Sequence, residues 1–120
     1  MLSALCGFAQ YQAPTGKYVV AYVTSWTDDV PDPMTVDCIN YAFAQISGSL
    51  DSVGIENVGR LRGLLDLKLS NPRLKVVLSI GGWGGGRFSE LAADAAKRRA
   101  FSWYCRKLIW DMGIDGIDID

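Results

Sequence analysis

The sequence predicts an α/β fold in which a parallel β-sheet is covered by helices. Four runs rich in apolar, β-branched and aromatic residues alternate along the chain with segments of helical periodicity. The runs are apolar at nearly every position, which is typical of strands buried on both faces of a parallel sheet. This alternation fits either an open doubly wound sheet or a (β/α)8 barrel, and both place active sites at the carboxyl ends of the strands.

The strands and the polar loops between them follow from the position of the apolar runs. Strands are predicted at residues 18–24, 38–46, 74–80 and from about 114 to 120. Loops are predicted at residues 27–33, which contain two prolines, and at residues 47–54. Polar groups follow the first and third strands directly and lie on the fourth, so the carboxyl ends of the strands are the predicted functional edge.

Helical spacing of apolar residues predicts two helices and a shorter helical turn. The first helix is predicted at 55–69 and ends at Asn71-Pro72. Its core-facing residues are Ile55, Val58, Leu61, Leu65 and Leu69. A helical turn is predicted at 88–92, and Asp94 is the predicted N-cap of the last helix, which Gly113 ends. The apolar face of this last helix consists of Phe101, Tyr104, Cys105, Leu108, Ile109 and Met112.

Composition narrows the classes of function. The chain has 120 residues, and its 49% apolar content is ample for a core. Twelve basic and 13 acidic residues leave no electrostatic case for binding nucleic acid or an anionic membrane. No segment approaches the ~18 consecutive apolar residues that a membrane span requires. The chain contains no His, so His-based triads, His general bases and His–zinc sites are excluded.

The three cysteines are far apart and include no Cys-x-x-Cys pair, which argues against a structural zinc site. We expect Cys38 and Cys105 to be buried free thiols. We expect neither a metal nor a cofactor.

Residues 1–16 differ from the rest of the chain. The first nine are apolar or small and uncharged, and Gly7-Phe8-Ala9 places small residues where signal peptidase expects them. We interpret residues 1–16 as a leader, the remnant of a signal peptide, and residues 17–120 as one partial catalytic domain. The alternatives are an unstructured apolar leader and an N-terminal strand. The leader interpretation predicts a protein that is secreted, periplasmic or held at the cell surface.

The last residues, Asp115-Gly116-Ile117-Asp118-Ile119-Asp120, carry a cluster of carboxylates. On a strand, Asp118 and Asp120 share one face, while Ile117 and Ile119 anchor the opposite face. Two like charges in so small a volume resist ionising together, which suits acid/base chemistry. Alternating Asp residues can also bind calcium, but the glycine and glutamate positions of an EF-hand loop are not matched here.

A second motif is the Gly-rich segment Ser79-Ile80-Gly81-Gly82-Trp83-Gly84-Gly85-Gly86, which follows the third strand. It lacks the Gly-Lys-Ser/Thr ending of a P-loop and fits the dinucleotide fingerprint poorly. The simplest interpretation is a loop that needs positive φ, and an alternative is an anion loop in an open-sheet ligand-binding domain. An exposed indole at Trp83 suits stacking against the face of a sugar.

Together these segments resemble the N-terminal half of family 18 glycoside hydrolases, the chitinase family. The family signature is Asp-Gly-x-Asp-x-Asp-x-Glu, and the chain carries it from Asp115 to Asp120. Ser79-Ile80-Gly81-Gly82 is similar to a second family motif, and the first two strands are similar to those of the family. The resemblance covers residues 17–120 and implies the N-terminal half of a (β/α)8 TIM barrel, with four parallel strands in sequence order and intervening helices.

The resemblance also implies a mechanism and a set of site residues. In this family the substrate's own N-acetyl group assists a retaining hydrolysis. Asp120 would orient that group, and Asp118 would lie behind Asp120 and share a proton with it. Tyr22 and Ser79 would hydrogen-bond Asp118, whereas Asp115 would be structural. The expected floor and wall of the sugar site are Phe43 and Trp83, with Trp26 as a weaker candidate.

The implied partner is chitin or an oligosaccharide that contains N-acetylglucosamine, and the implied reaction is hydrolysis of its β-1,4 links. The signature's Glu lies two positions beyond Asp120, and a (β/α)8 barrel takes about 250 residues. We therefore expect this chain to be a piece of a longer enzyme and to be inactive alone. The alternatives are a chitinase-like carbohydrate-binding protein without activity and an endo-β-N-acetylglucosaminidase that acts on N-glycans.

Overall fold

The computed structural model describes residues 16–120. The predicted leader lies outside the described residues, apart from Gly16. The described residues, 16–120, form five strands and three α-helices. The strands are β1 (Val20–Thr24), β2 (Cys38–Ile46), β3 (Val53–Ile55), β4 (Lys75–Ile80) and β5 (Gly116–Ile119). The helices are α1 (Val58–Asp66), α2 (Phe88–Ala93) and α3 (Ala95–Met112), and a 3-10 turn, Leu67–Leu69, continues α1.

The main sheet has the strand order β1-β2-β4-β5, and each of its neighbouring pairs is parallel. The four predicted strands are therefore adjacent, parallel and in sequence order, which confirms the predicted α/β class. The bounds of β2 agree with the predicted 38–46, because both of its ends coincide with the ends of a mainly apolar run that Asp37 and Ser47 flank.

Strand β3 was not predicted, because residues 47–54 were interpreted as a loop and Ile55 as the start of a helix. It pairs antiparallel with the carboxyl end of β2, from Ala44 to Ile46. The partner strand β1 stops opposite Ala42, so β3 supplies hydrogen bonds that β2 would otherwise lack beyond that point.

Helix α1 therefore begins later than predicted, at Val58, behind an N-cap at Asn57. The Asn57 side chain accepts a hydrogen bond from the N–H of Arg60. The predicted core-facing set was also partly wrong. Leu69 is 86% exposed in the 3-10 turn, whereas Leu64, which was not predicted to face the core, is buried. The change from α-helix to 3-10 geometry rotates the last turn away from the core.

The helices cover one face of the sheet, and the core lies between the two layers. The largest fully buried side chains of the strands are Ile39, Tyr41, Val76, Leu78 and Ile80. The predicted apolar face of α3 packs against this core. Cys38 and Cys105 are buried free thiols, as predicted, and burial raises the pKa of each.

Both ends of α3 follow the predicted capping. The carboxylate of Asp94 accepts hydrogen bonds from the N–H groups of Ala96 and Lys97 at 2.7 and 3.0 Å. Gly113 adopts φ 73° and donates its N–H to the carbonyl of Ile109, which ends the helix. Because α3 ends so sharply, the chain turns directly into β5.

Asp115 lies at the amino-terminal end of the sheet and joins three elements. Its Oδ2 lies 2.5 Å from Nζ of Lys68 and accepts the N–H of Val76 at 2.9 Å, while Nζ of Lys75 lies 3.4 Å from its Oδ1. Burial opposes ionisation of this carboxyl. The hydrogen bonds from Lys68 and Val76, together with the charge of Lys68, outweigh burial and hold the pKa of Asp115 below its ordinary value. These contacts fit the structural role expected for Asp115.

Residues 16–120 contain neither a membrane-spanning helix nor a cluster of metal ligands. None of the helices in this part of the chain is both long enough and apolar enough to cross a membrane. No group of three or more His, Cys, Asp and Glu side chains in the same residues is arranged to hold a metal ion.

Candidate active site

The candidate site lies at the carboxyl end of the parallel strands, on the face of the sheet opposite the helices. Side chains alternate along a strand, so the residues between those that face the helices point to this second face. On β1, β4 and β5 these residues include Tyr22, Ser79 and Asp118. Ser79 and Asp118 are register partners on β4 and β5, which brings them directly side by side.

Asp118 is held by two hydroxyl groups from other strands. The Tyr22 hydroxyl donates to Oδ2 of Asp118 at 3.0 Å, and Ser79 Oγ donates to the same oxygen at 2.6 Å. Ser79 is fully buried, whereas Tyr22 is 53% exposed. The two hydrogen bonds expected from the resemblance are therefore present, and they fix the Asp118 carboxylate between β1 and β4.

Asp120 continues the ladder just beyond β5. Its N–H donates to the carbonyl of Ile80 at 3.0 Å, and its own carbonyl accepts from Gly82 at 3.5 Å. Strand alternation places its exposed side chain on the same face as Asp118. Ile117 packs against the core as expected, but Ile119 is 58% exposed and is not anchored by the described helices.

The sharing of a proton between Asp118 and Asp120, which the resemblance implies, stays a prediction. No hydrogen bond joins the two carboxylates in the part of the chain that the structure describes. Oδ2 of Asp118 instead accepts from Tyr22 and Ser79. Asp118 is thus oriented by neutral hydroxyls rather than by its fellow carboxylate.

The glycine-rich loop after β4 packs closely against both neighbouring strand ends. A Cβ atom at Gly81 would lie 2.1 Å from the backbone oxygen of Asp120, and one at Gly82 would lie 2.7 Å from the Phe43 ring. A Cβ at Gly85 would lie 2.6 Å from the backbone of Gly81. Gly81 and Gly82 also have positive φ values of 119° and 85°. These glycines are needed for close approach, and the loop sets the position of Asp120.

Phe43 occupies an irregular point of β2. The β2–β4 register shifts between Ala42 and Ala44, so Phe43 has no partner on β4, and the peptide bond between Ala42 and Phe43 is cis. A bulge of this kind re-aims a side chain. The Phe43 ring lies over Gly82, and its centroid is 6.5 Å from that of Trp26 at an interplanar angle of 34°. Phe43 therefore contacts Gly82, whose N–H bonds the backbone carbonyl of Asp120, and its role as the floor of a sugar site stays a prediction.

Trp83 stands apart from the other predicted site residues. It is fully exposed, with a relative accessibility of 105%, and the described residues do not pack against its ring. Hydrogen bonds thus join Tyr22, Ser79 and Asp118, whereas Phe43 contacts Gly82 and Trp26. Trp83 is not brought into contact with any of these side chains. The flanking glycines give the backbone freedom and supply no side chain that could hold the indole in place.

A polar network that the sequence analysis missed holds the loop after β1. Ser25 Oγ donates to Oε2 of Glu56 at 3.1 Å, and Asn57 Nδ2 donates to the carbonyl of Ser25 at 3.1 Å. Arg60 Nε donates to the carbonyl of Thr24 at 2.8 Å. The partners are more than 30 residues apart, so no local pattern could reveal them. The network fixes the loop that carries Trp26.

A parallel α/β sheet with a fixed carboxylate, Asp118, at its carboxyl edge has its polar groups where α/β domains carry their active sites. The model of the family described as "Glycosyl hydrolases family 18" matches residues 18–120, and the chain belongs to this family.

Individual relatives agree with this assignment. Chitotriosidase-1 of Mus musculus is 30% identical, over 85% of this chain and 25% of its own length. The solved chitinase domain of the spore coat protein CotE from Clostridium difficile is 36% identical with a TM-score of 0.80, over 87% of this chain and 30% of that chain. Human YKL-39, described as a pseudo-chitinase with retained chitooligosaccharide binding, is 27% identical with a TM-score of 0.74, over 86% and 32%.

The chain spans a quarter to a third of the length of these relatives. The structural likeness confirms the predicted fold, in which four parallel strands and their helices correspond to part of a (β/α)8 barrel.

Proposed function

We propose that the complete protein hydrolyses β-1,4-linked N-acetylglucosamine polymers, with retention of configuration and with the substrate's own acetamido group as the nucleophile. The observation that carries this proposal is the carboxylate site, defined as Asp118, Asp120, Tyr22 and Ser79. In it, one carboxylate is fixed by two hydroxyls while its neighbour on the same face is exposed to a ligand. Family membership supports the proposal but does not fix the substrate.

Each carboxylate has a separate task. As the carbonyl oxygen of the acetamido group attacks the anomeric carbon, positive charge develops on the ring it forms. Asp120 accepts a hydrogen bond from the acetamido N–H, orients the group for attack and stabilises that charge. Asp118 lies behind Asp120 and sets the local charge, while Tyr22 and Ser79 keep Asp118 in place.

The leaving oxygen requires a proton, which the carboxylate site does not donate. In the family signature the donor is a Glu two positions beyond Asp120. We therefore propose the activity for a protein whose chain continues through that position. Water then opens the intermediate, and the same Glu acts as base on the return step.

Aromatic side chains complete the proposed sugar site. Phe43 lies over Gly82 and would offer a flat apolar floor. Trp26, 68% exposed, and the fully exposed Trp83 can stack on sugar rings on either side of the reacting one. Because Trp83 has no fixed contact, we propose that the substrate itself orders this indole.

The test is hydrolysis by the complete protein of N-acetylglucosamine oligomers compared with glucose oligomers of equal length. The proposal expects cleavage of the first set only, because the second set lacks the acetamido nucleophile. Equal cleavage of both would contradict it.

We also propose that the protein is exported, because residues 1–16 are interpreted as a leader. N-terminal sequencing of protein recovered from outside the cytoplasm checks this proposal.

A second candidate function is binding of chitooligosaccharides without hydrolysis. The observation that favours it is the likeness to YKL-39, whose description as a pseudo-chitinase shows that this fold can keep binding without activity. Calorimetry with an N-acetylglucosamine oligomer separates the two functions. Tight binding with no cleavage after prolonged incubation would support the binding protein and exclude the enzyme.

A further inference from the structure

Helix α3 presents two tryptophans to the outside of the molecule. Trp103 and Trp110 are 63% and 88% exposed, although large aromatic side chains are usually at least partly covered. The core-facing residues Phe101 and Cys105 are buried on the same helix. At about 100° per residue, both tryptophans project on the side of α3 opposite the core.

This outward direction matters in a barrel, where the helices form an outer ring around the strands. A helix beside α3 in that ring contacts its flanks, and the strands contact its inner face. The outer line of α3 carries Trp103 and Trp110, and none of the described elements buries either side chain. Two exposed indoles on one line of a helix are typical of a surface that binds a ligand.

The spacing of the two tryptophans suits a polysaccharide. They are seven residues apart, and seven residues of α-helix rise about 10.5 Å. This rise is close to the length of a disaccharide in an extended β-1,4-linked chain, in which alternate sugars present the same face. Two rings at this spacing can stack on every second sugar of one polymer strand.

The surface between the rings is polar. Trp103 and Trp110 line a shallow cleft of about 310 Å³ together with Arg106, Lys107 and Asp111. Lys107 and Asp111 form an ion pair one helical turn apart. The two indoles are the only aromatic or aliphatic residue types in this lining, whereas the centre of a protein interface is depleted of charged residues. Hydroxyl and amide groups of a sugar chain match such a lining better than an apolar protein surface does.

We propose that Trp103, Trp110, Arg106, Lys107 and Asp111 form a tryptophan strip that binds an extended β-1,4-linked polysaccharide outside the catalytic cleft. The choice of chitin as the polymer rests on the proposed function. The strip shares no residue with the carboxylate site. It holds the protein on an insoluble polymer while the carboxylate site works on a chain end or loop.

The test compares retention on insoluble chitin for the complete wild-type protein and its variants. Trp103→Ala and Trp110→Ala should each raise the apparent Kd for chitin about threefold to tenfold, because each removes one stacking contact. Trp110→Tyr should keep most of the retention, since it keeps an aromatic ring. The matched control is Leu69→Ala, which removes another highly exposed apolar side chain and should leave retention unchanged.

Hydrolysis of a short soluble chitooligosaccharide separates the strip from the carboxylate site. Both Trp→Ala variants should cleave it at the wild-type rate, because the oligomer is too short to reach α3. Loss of chitin retention in the variants, with this rate unchanged, would support polysaccharide binding by the tryptophan strip. The same conclusion would hold if the wild-type protein had no hydrolytic activity, in which case the proposed function alone would fail. Wild-type retention in the Trp103→Ala/Trp110→Ala double variant, or an equal loss in Leu69→Ala, would overturn it.

Discussion

Ser79 Oγ lies 2.6 Å from Oδ2 of Asp118, and the two residues are register partners on neighbouring parallel strands although they are 39 positions apart in the sequence. Ser79 is fully buried, so water does not reach this hydrogen bond from the Ser79 side. The register of β4 and β5 therefore sets the position of Asp118. An error in strand pairing would misplace the carboxylate directly.

Ser79→Ala should lower kcat of the complete enzyme about tenfold and leave KM nearly unchanged. A hydrogen bond to a charged group is worth about 1.5–3 kcal/mol, and its loss lets the Asp118 carboxylate move. The measurement is steady-state hydrolysis of an N-acetylglucosamine oligomer. Ser102→Ala, which removes an exposed hydroxyl on α3, is the control and should have wild-type kinetics. Unchanged kcat in Ser79→Ala would contradict the positioning role.

Tyr22→Phe should lower kcat less than Ser79→Ala does, by about threefold. The Tyr22 ring is half exposed, so a water molecule can take the place of its hydroxyl beside Asp118. The double variant should be worse than the product of the two effects, because it leaves Asp118 without either donor. A larger fall in kcat for Tyr22→Phe than for Ser79→Ala would show that solvent exposure does not decide which hydrogen bond to Asp118 matters more.

Gly81→Ala should destabilise the protein strongly and reduce activity, whereas Gly86→Ala should do neither. At Gly81 a positive φ alone costs about 1–3 kcal/mol, and the new Cβ would also collide with the backbone oxygen of Asp120. A Cβ at Gly86 would meet nothing within 4 Å, so its effect should stay within about 0.5 kcal/mol. Urea unfolding measures the free energy of unfolding of both variants. Similar stability of the two variants would contradict the close packing of this loop.

Asp115→Asn should lower the free energy of unfolding at neutral pH by about 1–3 kcal/mol, since the amide loses the ion pair with Lys68 and weakens the bond to Val76. The folded-state pKa of Asp115 lies below its ordinary value of 3.8. Its contribution is therefore complete above about pH 3.8 and is lost as the pH falls through the lower folded pKa.

The difference between wild type and Asp115→Asn should accordingly shrink as the pH falls below 3.8. Denaturant unfolding at several pH values measures this difference. Asp111→Asn, which breaks an exposed ion pair with Lys107, is the matched control and should cost well under 1 kcal/mol. A difference for Asp115→Asn that grew at low pH would have the wrong sign for this account.

Much of the fold could be predicted because its strands are long apolar runs and its last helix has a sharp cap at each end. β2 and α3 were predicted almost to the residue for these reasons. β3 could not be predicted from its three residues, because its partner is the unpaired end of β2. Leu69 fitted the helical period but falls in a 3-10 turn, where that period no longer applies.

The candidate site was predicted less evenly. Asp118, Tyr22 and Ser79 could be named because their motifs match the family, and their contacts are present. The contact of Phe43 with Gly82 depends on a register shift that the sequence does not reveal. The Ser25, Glu56, Asn57 and Arg60 network joins distant segments, so only the folded chain shows it.

Hydrolysis of an N-acetylglucosamine oligomer by the complete protein and its Asp120→Asn, Asp118→Asn and double variants tests the central claim most directly. A neutral amide at Asp120 keeps the shape but cannot stabilise the developing positive charge, so kcat should fall about 10²–10³-fold. Asp118→Asn should also reduce kcat, and the double variant should be little worse than Asp120→Asn, since the two carboxylates act together. Near wild-type kcat in a folded Asp120→Asn variant would contradict substrate-assisted catalysis at this site.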